Sequence, residues 1–294
     1  MPSEKSPAYF SIGSIILDDI TLAGGEVMPD VLGGGALHAA MGMRVWSDRV
    51  ALLAKVARDF QFEDHPLLAK QINTSGIRRA SVERTPHTRQ FFGEDGSRSE
   101  EFLTPLEEML GMIPRPADLP EAWNRLKGVH LHCRLEDLPE WVELLRGRGN
   151  PLVLWEPPDR FAFPENLGCF LELGRLVDWV SPNLNEMRSL TGIEEPVKMA
   201  RFCLEEGIKG LLLRMGEDGC LVTAADNLIV GMPAEKVEKV VDTTGAGNAC
   251  CGGFVAGMAE KGDPIEAARM GNHSAALALR QFGALYQLES QPEA

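Results

Sequence analysis

The chain has 294 residues, which is enough for one large α/β domain or two smaller ones with a substantial core. Hydrophobic residues at 44% and charged residues at 24% are ordinary fractions for a soluble globular protein. With 43 acidic and 29 basic residues, the net charge of −14 opposes nonspecific binding to nucleic acid or to an anionic membrane. Any site for an anionic ligand must therefore be local.

No run of about 18 apolar residues occurs, and the start MPSEKSPAYF lacks the apolar centre of a signal peptide. The 6 cysteines form no CxxC pair, which predicts reduced, structural thiols in a cytoplasmic protein. In the segment GVHLHC, His130, His132 and Cys133 suggest a metal site, since alternate strand residues share a face. No second ligand pair follows, so we expect no metal there.

Residues 8–17 predict a first buried strand, interrupted by Gly13 and followed by Asp18 and Asp19. The two carboxylates indicate either a binding site or a solvated turn. Residues 20–32 are typical of an edge hairpin. Three glycines at 33–35 then enter an Ala-rich helix, which indicates either a second binding turn or close helix packing.

Residues 50–57 predict a strand, and residues 61–75 a helix that ends at Gly76. Residues 77–103 then alternate polar and apolar side chains around turn signals, which predicts an exposed antiparallel hairpin. With the earlier hairpin it would form a small β subdomain of about residues 20–33 and 80–103. A lid over the site and a dimerisation flap explain it equally well. If it is a lid, we expect loss of the Phe91 and Phe92 side chains to weaken acceptor binding.

From residue 105 onward βα units resume, with strands predicted at 129–133, 151–155, 177–180, 210–214 and 220–223. A helix at 138–146 separates the first two of these strands, and a final helix runs from Pro264 to about Phe282. Glu156 and Arg160 follow one strand exit. Asn183 and Glu186 follow the next, where a helix N-cap is the simpler explanation of Glu186.

The most informative stretch is residues 237–258, in which a predicted strand end, the turn DTTGAGN and an apolar helix follow one another. Gly245 and Gly247 allow unusual backbone dihedrals and leave amides accessible. A helix start adds unpaired N–H groups and partial positive charge, so the pattern predicts a phosphate site. A plain sharp turn and a dinucleotide fingerprint are the alternatives, but Cys250 replaces the third glycine of GxGxxG.

Alternating strands and helices predict an α/β fold with a mostly parallel sheet covered on both faces. Ligands of such sheets gather outside the carboxyl ends of the strands. We therefore expect one rim to bring together Asp18, Gly34, Glu156, Asn183 and Gly245.

These residues resemble the PfkB, or ribokinase-like, family of carbohydrate and nucleoside kinases over nearly the whole chain. DTTGAGN at 242–248 is similar to the family's C-terminal signature DTxGAGD. Weaker elements follow in the expected order: Gly13 with Asp18, the GGG turn, the lid-like hairpin, Asn183 with Glu186 as the NxxE element, and the MGEDG turn at 215–219. The resemblance implies a single ribokinase-like domain over residues 1–294 with a small β lid.

The resemblance also implies ATP-dependent phosphoryl transfer to a hydroxyl of a sugar, polyol or nucleoside, with Mg²⁺ and, as in some members, a monovalent cation. Nucleic acid and membrane would not be partners, and the lid is a candidate homodimer contact. The implied phosphate-binding residues are Gly245, Ala246 and Gly247. The implied acceptor residues are Asp18, Gly34, Gly35, His38 and Glu156. The implied nucleotide residues are Asn183, Glu186, Arg214, Gly216, Thr243 and Asn272, with Glu186 and Asp242 as metal ligands.

The catalytic position itself departs from the family. Asn248 stands where the signature ends in the Asp that takes the proton of the attacking hydroxyl, and an amide has no useful basicity. Losing a general base typically costs about 10² to 10⁴ in rate, so we expect Asn248→Asp to raise activity about tenfold or more. Position 248 could also have been engineered to trap substrate.

The acceptor side departs as well. Ile16 and His38 occupy positions where sugar kinases of the family usually carry Asn, and residues 156–160 read EPPDR in place of DPNxR. Three hypotheses remain open: a kinase of this type, a catalytically impaired homologue that binds nucleotide or sugar as a sensor or partner, and a nucleotide-dependent enzyme of another class.

Overall fold

The protein is described by a computed structural model that covers residues 6–93, 97–224 and 227–286. Strands and helices alternate over most of these ranges. The strands are Tyr9–Ile12 (β1), Ile16–Thr21 (β2), Val27–Gly33 (β3), Val50–Val56 (β4), Ile77–Arg79 (β5), His87–Phe92 (β6), Arg98–Phe102 (β7), Gly128–Leu131 (β8), Leu152–Trp155 (β9), Trp179–Val180 (β10), Leu211–Arg214 (β11), Cys220–Ala224 (β12) and Leu228–Met232 (β13). The helices are Gly35–Arg44 (α1), Pro66–Gln71 (α2), Leu106–Met112 (α3), Leu138–Arg146 (α4), Leu167–Gly174 (α5), Leu184–Thr191 (α6), Pro196–Glu205 (α7), Ala246–Lys261 (α8) and Pro264–Ala278 (α9).

The main sheet has nine strands in the order β13, β12, β11, β10, β9, β8, β1, β4, β5. All neighbours are parallel except β11 with β12 and β12 with β13. Because successive strand residues point to opposite faces, Tyr9 lies in one buried apolar cluster and Phe10 in the other. Helices α1, α8 and α9 cover the first face, and helices α4 to α7 cover the second. The predicted α/β class with helices on both faces is confirmed.

A second, four-stranded sheet has the order β3, β2, β6, β7 and stands apart from the main sheet. Strand β2 pairs antiparallel with β3 and parallel with β6, and β6 forms a hairpin with β7. Every residue of β7 is exposed, so this strand leaves an open sheet edge. This sheet overlaps the residues predicted for a small β subdomain, while that division and its role as lid or dimer contact remain predictions.

The predicted first strand at 8–17 is two strands in different sheets. Strand β1 ends before Gly13 and belongs to the main sheet, whereas β2 begins at Ile16 and belongs to the small one. Gly13 marks the break because a Cβ there would lie 3.0 Å from Cβ of Ala36 and 3.3 Å from the carbonyl oxygen of His132. Asp18 therefore lies within a strand of the small sheet.

The strand predicted to end at Val241 is also wrong. Residues 237–241 carry no strand structure, Val240 is 52% exposed, and the Val241 amide bonds to the carbonyl of Leu279 at 2.8 Å. The valines cross the end of α9 because strand β13, which the sequence did not predict, already closes that edge of the main sheet.

Two of the predicted helices also need correction. The helix predicted at 61–75 is a short 3₁₀ turn at Phe62–Asp64 followed by α2, since Pro66 starts a new helix without a backbone donor. The last helix ends at Ala278 rather than Phe282. Among the described residues, no helix has both the length and the apolarity that a membrane crossing requires.

Helices α1 and α8 pack with their backbones in contact, and this packing positions the site. A Cβ added to Gly42 would overlap the carbonyl of Ala249, and one added to Gly252 would overlap the carbonyl of Ala39. Since both helices begin at glycine turns, their close approach places the Gly34 and Gly245 turns side by side.

Candidate active site

A cavity of about 640 Å³ lies between the small sheet and the carboxyl-end rim of the main sheet. It is lined by nine of the residues that the sequence predicted for the site: Asp18, Gly34, Gly35, His38, Glu156, Glu186, Thr243, Gly245 and Asn248. Four of the five residues that the sequence placed at one rim line this cavity: Asp18, Gly34, Glu156 and Gly245. Asn183 does not line it, and of these four only Glu156 follows a strand of the main sheet.

The start of helix α8 forms one wall of the cavity. Gly245 is its N-cap in the left-handed conformation, with φ 72°, and Ala246 and Gly247 are its first residues. Ala246 donates its amide to the Thr243 carbonyl at 3.3 Å, whereas within the described chain no protein acceptor faces the amides of Gly245 and Gly247. A helix of 16 residues thus directs open N–H groups and partial positive charge at the cavity.

The turn that precedes α8 is held by its own side chains. Asp242 is buried, and its Oδ1 accepts hydrogen bonds from the amide of Thr244 at 2.8 Å and from its hydroxyl at 2.6 Å. This turn fixes the approach to Gly245. The predicted role of Asp242 in binding a monovalent cation remains a prediction.

A buried polar network lies behind the cavity and centres on Glu156. Its Oε2 accepts from Nε2 of His130 at 2.8 Å, while its Oε1 pairs with Nη1 of Arg214 at 2.7 Å. Nδ1 of His130 lies 2.8 Å from the hydroxyl of Ser11. Burial by itself would raise the pKa of Glu156, but Arg214 and the hydrogen bonds from His130 hold it well below its usual value. Glu156 is therefore ionised at neutral pH.

Asn248 reaches this network from the first turn of α8. Its Nδ2 donates to Oε2 of Glu156 at 2.8 Å. A carboxylate in this state only accepts, so the contact fixes which end of the amide faces it. The side chain sits against Gly35, where a Cβ would lie 2.9 Å from Nδ2.

Asn183 and Glu186 form a capping box at the start of α6. The amide of Glu186 donates to Oδ1 of Asn183 at 2.9 Å, and the amide of Asn183 donates to Oε2 of Glu186 at 2.8 Å. The capping interpretation of Glu186 is confirmed. The carboxylate also lines the cavity, and burial raises its pKa.

The donor chemistry at Glu186 fits a hydrated Mg²⁺, which prefers carboxylate oxygen and retains most of its waters. Nη2 of Arg214 lies 3.9 Å from Oε2 of the same carboxylate, so the cation would share it with a guanidinium.

His38 in α1 is buried at 2% exposure, and neither ring nitrogen has a hydrogen-bond partner among the described residues. Burial lowers its pKa to about 4, so the imidazole is neutral. Its ring lies directly over Gly245, where any Cβ would overlap it. An unpartnered imidazole at a cavity wall is a hydrogen-bonding group available to a ligand.

Asp18 lies opposite, on β2 of the small sheet. It is 4% exposed, and its Oδ1 accepts a hydrogen bond from the hydroxyl of Thr88 on β6. Burial raises its pKa to about 6, against the hydrogen bonds from Thr88 and Gln90. At neutral pH the site therefore presents an ionised carboxylate that a hydroxyl donor would stabilise.

Four predicted nucleotide-binding residues do not line the cavity: Asn183, which caps α6, and Arg214, Gly216 and Asn272. The Arg214 side chain lies behind it, between Glu156 and Glu186. Gly216 belongs to a 3₁₀ turn at Gly216–Asp218. The amide of Asn272 already donates to the carbonyls of Met232 and Pro233 at 3.3 and 2.8 Å. Their roles toward a nucleotide remain predictions.

Sequence reasoning missed one wall of the cavity, which the hairpin and helix α3 supply. Its residues are Gln90, Arg98, Glu100, Phe102, Thr104, Leu106, Met109 and Ile113. The alternation along β6 and β7 was the available signal, because Gln90 and Glu100 are paired across the hairpin and share a face. Phe91 points to the other face. The ring of Phe92 instead packs against that of Phe282, with 5.3 Å between the ring centroids.

The predicted thiol chemistry is consistent with the structure. All 6 cysteines are free, and five of them are buried. Ligand atoms of His130, Glu156 and Cys251 lie within 4.8 Å of one another. This group differs from the metal site considered in the sequence, which was His130, His132 and Cys133. Arg214 already neutralises Glu156 in this cluster.

Comparisons with known proteins agree with this geometry. Residues 156–291 match the family described as pfkB family carbohydrate kinase. An uncharacterized protein of Schizosaccharomyces pombe is 26% identical over 95% of this chain and 86% of its own. The cytidine kinase of Thermococcus kodakarensis is 28% identical over 92% of this chain and 96% of its own.

The crystal structure of a Vibrio cholerae fructokinase with bound fructose, ADP and calcium superposes with a TM-score of 0.78, at 21% identity, over 98% of this chain and 97% of that one. The fold is therefore that of a ribokinase-like α/β protein. Residues 156–291 thus match the PfkB family carbohydrate kinase model, in line with the resemblance that the sequence predicted.

Proposed function

We propose that the protein is a kinase that transfers the γ-phosphoryl group of ATP to a hydroxyl of a small sugar, polyol or nucleoside. The observation that carries this proposal is the open amide of Gly245 at the start of α8, in a residue that lines the same cavity as the buried carboxylate of Asp18. An anion site and a hydroxyl-binding carboxylate are the two parts that phosphoryl transfer to an alcohol requires. The relatives support it, since one is a cytidine kinase and a structural neighbour is a fructokinase.

In this mechanism the residues of the chain mainly position and stabilise. Amides at the start of α8 would donate to the transferring phosphoryl group as charge develops on it. Asp18 would accept hydrogen bonds from the acceptor's hydroxyls, and the free ring nitrogens of His38 would contact the same molecule. Mg²⁺ held through Glu186 would neutralise phosphate charge. Six free cysteines are consistent with the cytoplasm as its location.

The test is a phosphoryl-transfer assay with ATP and Mg²⁺ across sugars, polyols and nucleosides, on the wild type and Gly245→Ala. A methyl group at Gly245 would overlap His38 and displace the amides. We expect kcat to fall by about 10² to 10³, the usual cost of losing such donors.

Gly262→Ala is the matched control. Gly262 is the C-cap of the same helix with φ 66°, and a Cβ there meets nothing within 4 Å. It should carry similar backbone strain and leave kcat unchanged.

Asn248 stands where the expected general base would be, and this favours a second function. The protein would then be a homologue that binds nucleotide or sugar without turnover. ATP-dependent thermal stabilisation without transfer to any acceptor would support this alternative. Stabilisation by NAD but not by ATP would point to another enzyme class.

A further inference from the structure

Asn248 replaces the Asp of the family signature, and its contact with Glu156 places a carboxylate directly beside it. Both side chains line the cavity, and Nδ2 of Asn248 lies 2.8 Å from Oε2 of Glu156. If the proposed kinase function holds, on which this inference rests, the acceptor hydroxyl still needs a proton acceptor. We propose that Glu156 takes that proton, and that Asn248 orients the hydroxyl.

The orientation of the amide supports this division of roles. Since Nδ2 of Asn248 is bound to the carboxylate, Oδ1 is the end left for a ligand. An amide oxygen can accept a hydrogen bond from the attacking hydroxyl and align it, but cannot remove its proton. The carboxylate of Glu156, which lines the same cavity, can do so.

Glu156 is kept in the ionised form that this role requires. Arg214 pairs with Oε1, which leaves Oε2 as the oxygen shared by Asn248 and His130. His130 is fully buried and is itself held by Ser11, so the carboxylate is fixed in orientation. A fixed, ionised carboxylate beside the acceptor subsite is the arrangement that general-base catalysis needs.

The proposed step balances as follows. The oxygen of the acceptor hydroxyl forms a bond to the γ-phosphorus of ATP, and the bond from that phosphorus to the β–γ bridging oxygen breaks to release ADP. The hydroxyl proton passes to Oε2 of Glu156. A carboxylate of low basicity suffices, because in a loose transition state the attacking hydroxyl loses its proton only late.

Besides His132, whose Nδ1 lies 3.8 Å from Oε2 of Glu156, His38 is a rival proton acceptor at this cavity. It is neutral and unpartnered, but it is 2% exposed and has no carboxylate bonded to its ring to stabilise an imidazolium. Burial without such a partner disfavours its protonated form. We therefore assign His38 a hydrogen-bonding role and the proton to Glu156.

The test exchanges the two functional groups. Glu156→Gln removes the carboxylate, and we expect kcat to fall by about 10² to 10⁴. Asn248→Asp alone places two carboxylates in contact, where one must bind a proton, so we expect no gain over the wild type. The double variant Glu156→Gln with Asn248→Asp restores one carboxylate and one amide. We expect its kcat to return to within about tenfold of the wild type.

The swap also separates catalysis from structure. Both Glu156→Gln and the double variant lack the carboxylate that pairs with Arg214, so recovery in the double variant cannot come from that ion pair. Melting temperature and ATP affinity, measured on all variants, check that each is folded.

Three outcomes would overturn the inference. One is full activity in Glu156→Gln, and another is a double variant no better than Glu156→Gln, which would assign Glu156 to holding Arg214. In both cases the wild type remains an active kinase and the proposed function stands. The third is a wild type inactive on every acceptor, which contradicts the proposed function as well.

Discussion

Asp18 is the residue at which burial most directly sets a functional property. The small sheet covers its carboxylate, and the resulting loss of hydration raises its pKa to about 6 from 3.8. A folded pKa above the unfolded value means that the ionised form destabilises the fold at neutral pH; this cost declines as the pH falls from about 6 and vanishes below the unfolded value of 3.8. The protein retains this cost because an ionised Asp18 faces the cavity.

From this follows a prediction about pH. If Asp18 accepts hydrogen bonds from the acceptor's hydroxyls, the acceptor KM should rise about tenfold per unit as the pH falls below about 6, because the carboxylate is then protonated. Asp18→Asn should have a high KM that no longer changes with pH. Initial rates between pH 5 and 8 measure both.

Asp19→Asn is the control, since Asp19 is the next residue of the same strand and pairs with His87 at 3.2 Å outside the cavity. Its KM should follow the wild-type profile. A wild-type KM that stays constant down to pH 5 would show that Asp18 does not bind the acceptor.

At the scale of elements, the contact between α1 and α8 determines where the two glycine turns lie. This contact is close because Gly42 and Gly252 carry no side chain, so that one helix backbone touches the other. Helix α8 packs against α9 in the same way, where a Cβ on Gly257 would lie 2.6 Å from Cα of Ala267. The site therefore depends on helix packing far from its ligands.

We predict that Gly252→Ala destabilises the fold by about 1–3 kcal/mol, because the methyl group would overlap the carbonyl of Ala39 and force the helices apart. Urea unfolding followed by circular dichroism measures the change. Gly168→Ala in α5 is the control, since Gly168 is exposed and a Cβ there meets nothing within 4 Å. It should be neutral or stabilising by up to about 1 kcal/mol. Equal stabilities of the two variants would refute the close-packing account.

At the scale of the whole molecule, the small sheet meets the main domain across the cavity. Arg98 on β7 donates to the hydroxyl of Thr244, and the oxygen of this hydroxyl lies 3.2 Å from Oε1 of Gln90 on β6. Thr244 belongs to the turn that leads into the open amides. A hairpin that contacts both the acceptor side and the phosphate side of one cavity is well placed to act as a lid.

We predict that Phe102→Ala weakens acceptor binding about tenfold while leaving ATP affinity unchanged. Phe102 lines the cavity and is 55% exposed without a ligand, so an acceptor would gain apolar contact by covering it. Phe91→Ala is the matched control, because this ring is 42% exposed on the opposite face of the hairpin. Calorimetric titration of each ligand gives both affinities. A larger effect of Phe91→Ala would favour a dimerisation flap.

The sequence located the positions of the site better than the roles of some residues. The glycine turn at 242–248, the capping box of Asn183 and Glu186, and the α/β alternation were all predictable, because each depends on residues close in the chain. The absence of a strand at 237–241 was not predictable, since valines indicate burial without indicating what covers them.

The partner of Asn248 was beyond sequence reasoning, and it changes the expected outcome of Asn248→Asp. Its contact with Glu156 spans 92 residues, that of Asp18 with Thr88 spans 70, and that of Arg98 with Thr244 spans 146. Local pattern determined which elements form and where their glycine turns lie. Only the tertiary structure decided which side chains meet, because strand order and helix packing bring distant residues together and no local periodicity encodes that choice.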